Sequence, residues 1–426
     1  MSVPGKIAQG IPVRTGLAIG LVGQSVSLPL QVLNNVLVIR MLGTQVGLFF
    51  LFTTTTMLLS LVLDPLGLKW AATYLIGREA GRGRSILRTS LLVCAASGIG
   101  IALLGPFALR ALAPIAPSGS SFSGLAGYAR VLGFSTALNL LYLVTNAMLL
   151  GYQNFAGYNL QQVASAVFFS LSLLVSYAAR VVPSPLLLMV LWTAAVGLAT
   201  ILGVGLMAGD LRRTALVTLT LRSLAPGMRA FFINSTGFLH LRVDYYMVSW
   251  MLGASRLSIY GTAVTIAEAL GRLVAIVGPV VYAKSSAERG REFLSKIPIL
   301  LLIVALSASL LGALFACVGR PLLPLVFGAA FGEAYVPTLV LLPGIVFMGM
   351  TSVLNNFMAG KGYPISLLLS NTVALVVNVS LNSFLIRALD VTGASVASSV
   401  SYGCWFLALA LVLRRHLRQA GNPSAG

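Results

Sequence analysis

Apolar stretches of 20 or more residues recur along the chain, and they restrict it to a membrane fold. A helix of that length spans about 30 Å of hydrocarbon. Only 9% of the 426 residues are charged and 58% are hydrophobic, which leaves too little charge to cover a soluble protein of this size. The pattern predicts an all-α polytopic membrane protein of about 12 transmembrane helices, at 15–39, 46–68, 87–113, 126–150, 159–180, 185–208, 229–250, 257–283, 297–318, 335–357, 365–387 and 391–413.

Two short stretches of the chain repeat at nearly the same offset. Met41-Leu42-Gly43 recurs 210 residues later as Met251-Leu252-Gly253, and the run Asn146–Gly151 has a counterpart of equal length at Asn355–Gly360. We therefore predict two six-helix repeat lobes, 1–209 and 229–426, the second with a short basic tail, joined by a cytoplasmic linker at 210–228. Six helices per half allow both halves to enter from the same side, as a parallel repeat. Duplicated membrane domains are typical of secondary transporters, whose substrate site lies between the halves.

The distribution of basic residues predicts the orientation of the chain. There are 28 Lys and Arg against 9 Asp and Glu, a net charge of +19. With the N-terminus inside, 18 of the basic residues lie on the cytoplasmic side and 6 on the outer side. Because cytoplasmic loops of membrane proteins are enriched in Lys and Arg, we predict that both termini are cytoplasmic. The same rule accounts for the charge without a nucleic-acid partner.

Polar side chains form a stripe along the first predicted span and recur on its repeat counterpart, the seventh. In the first span the stripe follows helical spacing through Gln24, Ser27, Gln31 and Asn34. The seventh span carries Asn234, Ser235, Thr236, His240, Arg242 and Asp244. Asn34 and Asp244 correspond at the offset of 210, which favours a cavity between the halves. The alternative is a dry helix–helix interface held by amides.

Several charges lie within the predicted spans, where each costs on the order of 3 kcal/mol and therefore faces the interior of the bundle. On a helix, His240 and Asp244 share a face while Arg242 points away, so no local pair between Arg242 and Asp244 is expected. The structural alternative is that each charge pairs with a neighbouring helix. Glu268 and Arg272 are four residues apart with the acid first, the favourable order for an intrahelical pair.

Asp64 and Lys69 have simple structural explanations beside a functional one. Asp64 precedes Pro65, where it can cap a kinked helix, and Lys69 can extend to the cytoplasmic interface. Cys94, Cys317 and Cys404 form no CxxC pair, and His240 and His416 are too few and too separated for a metal site. We predict no metal and no cofactor. The sequence also lacks GxSxG, HExxH and Walker A motifs, so a non-enzyme is expected.

Several motifs resemble one known superfamily over nearly the whole chain. They are Val38-Ile39-Arg40-Met41-Leu42-Gly43 with Gly47, Asp244-Tyr245-Tyr246, Leu252-Gly253, Ile259-Tyr260-Gly261 and Leu325-Val326-Phe327-Gly328. This pattern is similar to the polysaccharide transporters of the multidrug/oligosaccharidyl-lipid/polysaccharide (MOP) flippase superfamily, including the Wzx-type O-antigen flippases. The resemblance implies a MATE-like fold of two lobes in a V shape that open alternately to each side. It also implies the bacterial cytoplasmic (inner) membrane and a polyprenyl-diphosphate-linked oligosaccharide as cargo.

The predicted site follows from this cargo. Substrate-binding residues are predicted to be Arg242, Arg272, Lys69, Asn34 and Asn234, whose cations can donate charge-assisted hydrogen bonds to a diphosphate. Coupling-ion or ion-pair residues are predicted to be Asp244, Glu268, Asp64 and His240. Membrane lipids, a polysaccharide polymerase and assembly proteins are the partners implied.

Two alternatives stay open. A cation-coupled multidrug exporter of the same superfamily would use Asp244, Asp64 or Glu268 to exchange a cation for the drug. A membrane-embedded polysaccharide polymerase or ligase would need a sizeable outer loop with convergent polar groups, and the sequence has none.

Overall fold

The chain is all-helical in its computed structural model. The structure describes residues 13–64, 67–78, 83–112, 125, 127–181, 183–212, 221–275, 277–278, 281, 285, 292–360 and 365–421, and these contain no β-strand. The helices are α1 (Val13–Leu42), α2 (Val46–Val62), α3 (Leu68–Arg78), α4 (Gly83–Leu112), α5 (Ala129–Gly151), α6 (Phe155–Ala178), α7 (Pro185–Leu206), α8 (Ala208–Arg212), α9 (Leu221–Ala275), α10 (Glu292–Phe327), α11 (Tyr335–Gly360) and α12 (Ile365–Gly421).

The predicted spans fall on these helices, with three differences in how they are divided. The second span ends early, at Val62, and a further helix, α3, begins at its last residue, Leu68. The seventh and eighth spans are joined in α9 and the last two in α12, and residues 276, 279–280 and 282–283 of the eighth span lie outside the described residues. Within the described residues, eight helical segments are long and apolar enough to cross a membrane, and some of them, such as Ile365–Arg414, hold more than one predicted span. The all-α, multi-pass prediction is confirmed, and the number of 12 crossings stays a prediction.

The break between α2 and α3 is held by a side-chain cap. Oδ1 of Asp64 accepts the backbone N–H of Leu68 at 2.7 Å, and its Oδ2 accepts that of Lys69 at 3.1 Å. These are the first N–H groups of α3, which have no partner within the helix. Gly67 has a φ of +61°, a conformation that other residues adopt only with strain. The capping alternative for Asp64 is therefore confirmed.

Two further breaks fold long helices back on themselves. In α9 the break is at Gly253, with φ 84° and ψ 179°, and in α12 it is at Asp390, with φ 56° and ψ −142°. Asp390 accepts the N–H of Val391 at 2.8 Å and is ion-paired with Arg256, which also donates to Glu333 at 2.7 Å. The break at Gly253 brings the residues that follow it back towards those that precede it.

The chain clusters into two compact units. The first unit consists of the described residues within Met1–Asn34, Leu59–Leu104 and Arg130–Phe231, and the second of those within Asn35–Leu58, Gly105–Ala129 and Phe232–Gly426. The first has a core that includes Leu68, Ile86, Leu140 and Met148. The core of the second includes Leu354, Leu367, Trp405 and Leu409. The lobe boundaries at 209 and 229 stay predictions.

Candidate functional site

Three charged side chains meet in the second unit, on the two sides of the break in α9. Nη2 of Arg242 donates to Oε2 of Glu268 at 3.0 Å, and Nη1 of Arg242 donates to Oε1. Nη2 of Arg272 lies 3.5 Å from Oε2 of the same carboxylate. The intrahelical pair between Glu268 and Arg272 is present, as predicted. The second, bidentate partner was not predicted, because it depends on how α9 folds back.

This charge triad, Arg242–Glu268–Arg272, carries an excess positive charge. The side chains of Arg242 and Glu268 are 20% and 16% exposed, and that of Arg272 is 42% exposed. The guanidinium of Arg242 also lies over the ring of Tyr245, 5.4 Å from its centroid. Two guanidinium groups share one carboxylate, so the triad has a net charge of about +1. Arg242 is fixed in place by a two-point hydrogen bond, and Arg272 is the more accessible cation.

Asp244 lies on the same helix as Arg242 but belongs to a different network. It is 1% exposed. Its Oδ2 accepts hydrogen bonds from the hydroxyl of Tyr260 and from Oγ of Ser398 at 3.0 Å, and its Oδ1 accepts the N–H of Tyr245 at 2.8 Å. These three hydrogen bonds offset part of the cost of burying the carboxylate, and no Lys or Arg of the described residues forms an ion pair with it. The expectation that Arg242 and Asp244 pair separately agrees with this geometry.

The network around Asp244 extends to the last helix and to His240. Nδ2 of Asn378 donates to Oγ of Ser401 at 3.1 Å and lies 3.5 Å from Oγ of Ser398, and Nδ2 of Asn382 donates to Oδ1 of Asn378 at 2.7 Å. Nε2 of His240 is 3.2 Å from Oγ of Ser401. Within the described residues, Oδ1 of Asn382 and Nδ1 of His240 are buried without a hydrogen-bond partner. The polar cluster therefore keeps unused capacity to bind a proton, a water or a small cation.

The remaining predicted site residues are Asn34, Lys69 and Asn234, and the contacts of the first two are as follows. In the first unit, Asn34 is buried, donates to the carbonyl of Ala166 at 3.0 Å and accepts from Ser170 at 2.7 Å. This is the interface arrangement that was the alternative to a cavity position. Nζ of Lys69 lies over the ring of Trp70, 5.1 Å from its centroid. Asn234 is half-buried in α9.

Sequence reasoning missed the buried polar residues of α12, of which Ser398 contacts Asp244. The amides of Asn378 and Asn382 are four residues apart on one helix, and Ser395, Ser398 and Ser401 recur at intervals of three. All five are fully buried. This spacing places each set on one helical face, and it was the signal that could have revealed a buried polar cluster.

The described residues contain no group of three or more His, Cys, Asp and Glu that could hold a metal ion. Asp244 supplies the carboxylate of its cluster, and hydroxyl and amide groups supply the other polar atoms. Such a donor set suits a proton or a hard monovalent cation better than a transition metal. The absence of a cofactor stays a prediction.

Comparison with known proteins shows which solved structures have a similar fold. No family model and no curated protein matches the sequence. Among solved structures, the chain is similar to the lipid II flippase MurJ in an inward closed conformation, with a TM-score of 0.75, 15% identity and coverage of 93% of this chain and 87% of that one. It is also similar to an inward-facing multidrug resistance MATE family transporter of the MOP superfamily, with a TM-score of 0.73, 15% identity and coverage of 95% and 100%.

A third similar structure is a MOP superfamily transporter from Pyrococcus furiosus, for which reverse polarity of the binding pocket suggests a different function. Its TM-score is 0.69 at 16% identity, covering 97% of this chain and 99% of that one. At these identities the likeness concerns the fold. The MATE-like fold class inferred from the sequence is confirmed, and the Wzx-type branch stays a prediction.

Proposed function

We propose that this protein flips a polyprenyl-diphosphate-linked oligosaccharide across the bacterial cytoplasmic membrane by alternating access. The observation that carries the proposal is the charge triad, in which Arg242 and Arg272 share the carboxylate of Glu268. An excess cation inside a membrane protein is costly, so its retention indicates a function for which the charge is needed. A diphosphate offers the oxygens that a guanidinium recognises through charge-assisted hydrogen bonds.

The two arginines have different parts in this proposal. Arg242 is held by its two-point contact with Glu268 and sets the position of the carboxylate. Arg272 is more exposed and lies 3.5 Å from that carboxylate, so it is the cation of the triad that a cargo phosphate can reach more easily. Asn234, Asn34 and Lys69 stay predicted binding residues, and the proposal rests on the triad alone.

The energy source is proposed to act at Asp244. A proton or a small cation that binds this carboxylate would compete with the hydroxyl groups of Tyr260 and Ser398 and so rearrange the contact between α9 and α12. The same cluster would serve the alternative function, export of a cationic drug in exchange for a cation. The two functions differ at the triad, because a net positive site attracts a diphosphate and repels a cationic drug.

The solved structures support a transporter but do not choose its cargo. The similar proteins include a lipid II flippase and multidrug transporters, so both cargo classes occur on this fold. The sign of the charge in the triad is the observation that favours the anionic one. A non-enzymatic role, partner proteins of polysaccharide assembly and a cytoplasmic location of both termini belong to the same proposal.

The test is transport by purified protein in vesicles that carry a fluorescent polyprenyl-diphosphate oligosaccharide. We expect Arg272→Gln to lower the flipping rate by about tenfold to a hundredfold, because a hydrogen bond to a charged group contributes roughly 1.5–3 kcal/mol. Arg272→Lys should restore part of the rate if charge matters more than the planar fork. Arg130→Gln, an exposed arginine of α5, is the matched control. Undiminished flipping by Arg272→Gln would exclude the cargo-binding role.

The same vesicles distinguish the flippase from the multidrug exporter and test the coupling residue. Faster uptake of a cationic dye by Arg272→Gln, with no flipping of the lipid by the unmodified protein, would favour the drug exporter. For coupling, Asp244→Asn should abolish the dependence of the rate on an imposed proton or sodium gradient. A variant that is folded and still responds to both gradients would exclude Asp244 as the coupling residue.

A further inference from the structure

Two close backbone contacts, one near each end of the second predicted span, involve glycine. Gly47 lies at the start of α2 and Gly67 at the break before α3, and 20 residues separate them. The 17 residues of α2 cover about 25 Å, most of the thickness of the hydrocarbon core, and Gly67 follows in the break after α2. By the predicted orientation, Gly47 is near the outer surface and Gly67 near the cytoplasmic surface.

The outer contact lies within the second unit and joins α2 to the residues after the break in α9. The N–H of Gly47 donates to Oγ of Ser258 at 2.8 Å, and that hydroxyl donates to the carbonyl of Thr44 at 2.6 Å. A Cβ on Gly47 would lie 2.0 Å from the carbonyl oxygen of Ala254. Only glycine therefore permits this approach, because any side chain would force the two helices apart.

The same two helices touch one turn further along. A Cβ on Gly261 would lie 2.4 Å from Cδ2 of Phe50, so this ring packs directly on the backbone of α9. Phe50 is three residues after Gly47, and Gly261 is three residues after Ser258. The spacing places Gly47 and Phe50 on one helical face and Ser258 and Gly261 on the facing one. The outer contact is therefore continuous over one turn.

The inner contact lies within the first unit and joins the break before α3 to the start of α9. A Cβ on Gly67 would lie 2.3 Å from the carbonyl oxygen of Gly227, and one on Gly227 would lie 2.6 Å from the carbonyl oxygen of Gly67 and 2.8 Å from Cβ of Ala71. The rings of Trp70 and Phe231 meet edge to face next to it, with centroids 6.5 Å apart. Here too the closed contact requires the absence of a side chain.

We propose that these contacts are the two gates of the transporter, an outer gate formed by Gly47 on Ala254 and Ser258 and an inner gate formed by Gly67 on Gly227 and Ala71. The proposal rests on the alternating access proposed above. Each entrance opens when the corresponding glycine contact separates. Both contacts involve α9 and the segment from α2 to α3, and in this proposal one contact separates while the other stays closed.

Two buried side chains report which gate is open. Ser258, in the outer gate, is 0% exposed and Ala71, in the inner gate, is 1% exposed. Each is replaced singly by cysteine, in full-length protein whose native cysteines Cys94, Cys317 and Cys404 are changed to alanine. The labelling rate with a water-soluble maleimide is measured in permeabilised membranes, where the reagent reaches both surfaces.

Alanine at a gate glycine should hold that gate open. We expect Gly47→Ala to raise labelling at Ser258→Cys and lower it at Ala71→Cys, and Gly227→Ala to do the reverse. We expect the overpacking to change the ratio of open to closed gate by about tenfold. Gly205→Ala is the matched control, because nothing lies within 4 Å of a Cβ there, and it should leave both rates unchanged.

The proposal is overturned if Gly47→Ala and Gly227→Ala change the two rates in the same direction or leave both unchanged. If an alanine variant does not accumulate, Ser258→Ala tests the outer gate without added bulk. It removes the acceptor of the Gly47 N–H and should slow labelling at Ala71→Cys; an unchanged rate contradicts the proposal. Labelling requires no cargo, so its outcome is independent of whether the lipid-linked oligosaccharide is flipped.

Discussion

At the scale of single residues, Glu268 has a larger effect on the charge balance than either arginine beside it. Loss of Arg242 leaves the carboxylate next to Arg272, whereas loss of Glu268 leaves two cations without this counterion. We expect Glu268→Gln to lower the free energy of unfolding more than Arg242→Gln does. Breaking a buried ion pair from one side costs about 3–5 kcal/mol, and the partial exposure of this pair places the cost at the lower end.

The measurement for this pair is a double-mutant cycle by thermal unfolding in detergent. The variant that carries both Arg242→Gln and Glu268→Gln should be more stable than Glu268→Gln alone, because it lacks one of the uncompensated cations. Strict additivity of the two single effects would show that the pair contributes no coupling energy.

The charged residues themselves were predictable, but their partners were not. Arg242, Asp244 and Glu268 stand out in any apolar sequence because each has a high cost within the membrane. That Arg242 pairs with Glu268 depends on the reversal at Gly253, which brings together residues 26 positions apart. Helical periodicity describes neighbours within one helix and carries no information about that reversal.

At the scale of elements, the reversal in α12 combines an unfavourable backbone conformation with an ion pair. Asp390 has φ 56° and ψ −142°, a region populated almost entirely by glycine. Its carboxylate accepts a hydrogen bond from Arg256, which also donates one to Glu333, and these two bonds raise the pKa of Arg256. Arg256 is therefore a permanent cation, and its ion pair joins the break in α12 to the residues just after the break in α9.

Two substitutions separate these effects. Asp390→Gly loses the ion pair but relaxes the backbone, whereas Asp390→Ala loses the ion pair and keeps the strain. We expect Asp390→Ala to be less stable than Asp390→Gly by about 1–3 kcal/mol, the usual cost of such a conformation for a residue with a Cβ. Equal midpoints of thermal unfolding for the two variants would show that the break stores no backbone strain.

The positions of the elements were predicted better than their connections. The predicted spans at 185–208 and 335–357 coincide with α7 and α11 to within a few residues, because long apolar runs identify membrane helices directly. The span predicted at 46–68 is shorter in the structure, because α2 ends at Val62 and α3 begins at Leu68. Asp64 caps α3 there, as its place before Pro65 suggested, but hydropathy alone does not give the residue at which α2 ends.

At the scale of the whole molecule, the repeat-related residues Asn34 and Asp244 are not equivalent. Asn34 uses its amide to donate to Ala166 and accept from Ser170, so it is a satisfied contact between α1 and α6. Asp244 instead brings a carboxylate into a cluster with unused polar atoms. We therefore propose that Asn34 is a structural residue and that, of the two positions, only Asp244 takes part in coupling.

The orientation of the molecule is tested with two positions that flank one helix. Gln153 and Val181 are exposed, on opposite sides of α6, whose 24 residues are long enough to span the membrane. From the excess of 18 basic residues over 6, Val181→Cys should react with an impermeant maleimide in intact cells. Gln153→Cys, and cysteines at Gly5 and Gly421 near the two termini, should react only after permeabilisation.

The native Cys94, Cys317 and Cys404 are replaced by alanine in each of these variants, so that labelling reports the introduced position. The two sides of α6 serve as mutual controls, because any reagent that leaks across the membrane would label both. Reaction at Gly5 or Gly421 in intact cells would contradict cytoplasmic termini. Reaction at Gln153 with protection at Val181 would show that the chain has the opposite orientation. Gly47 would then belong to the inner gate and Gly67 to the outer one.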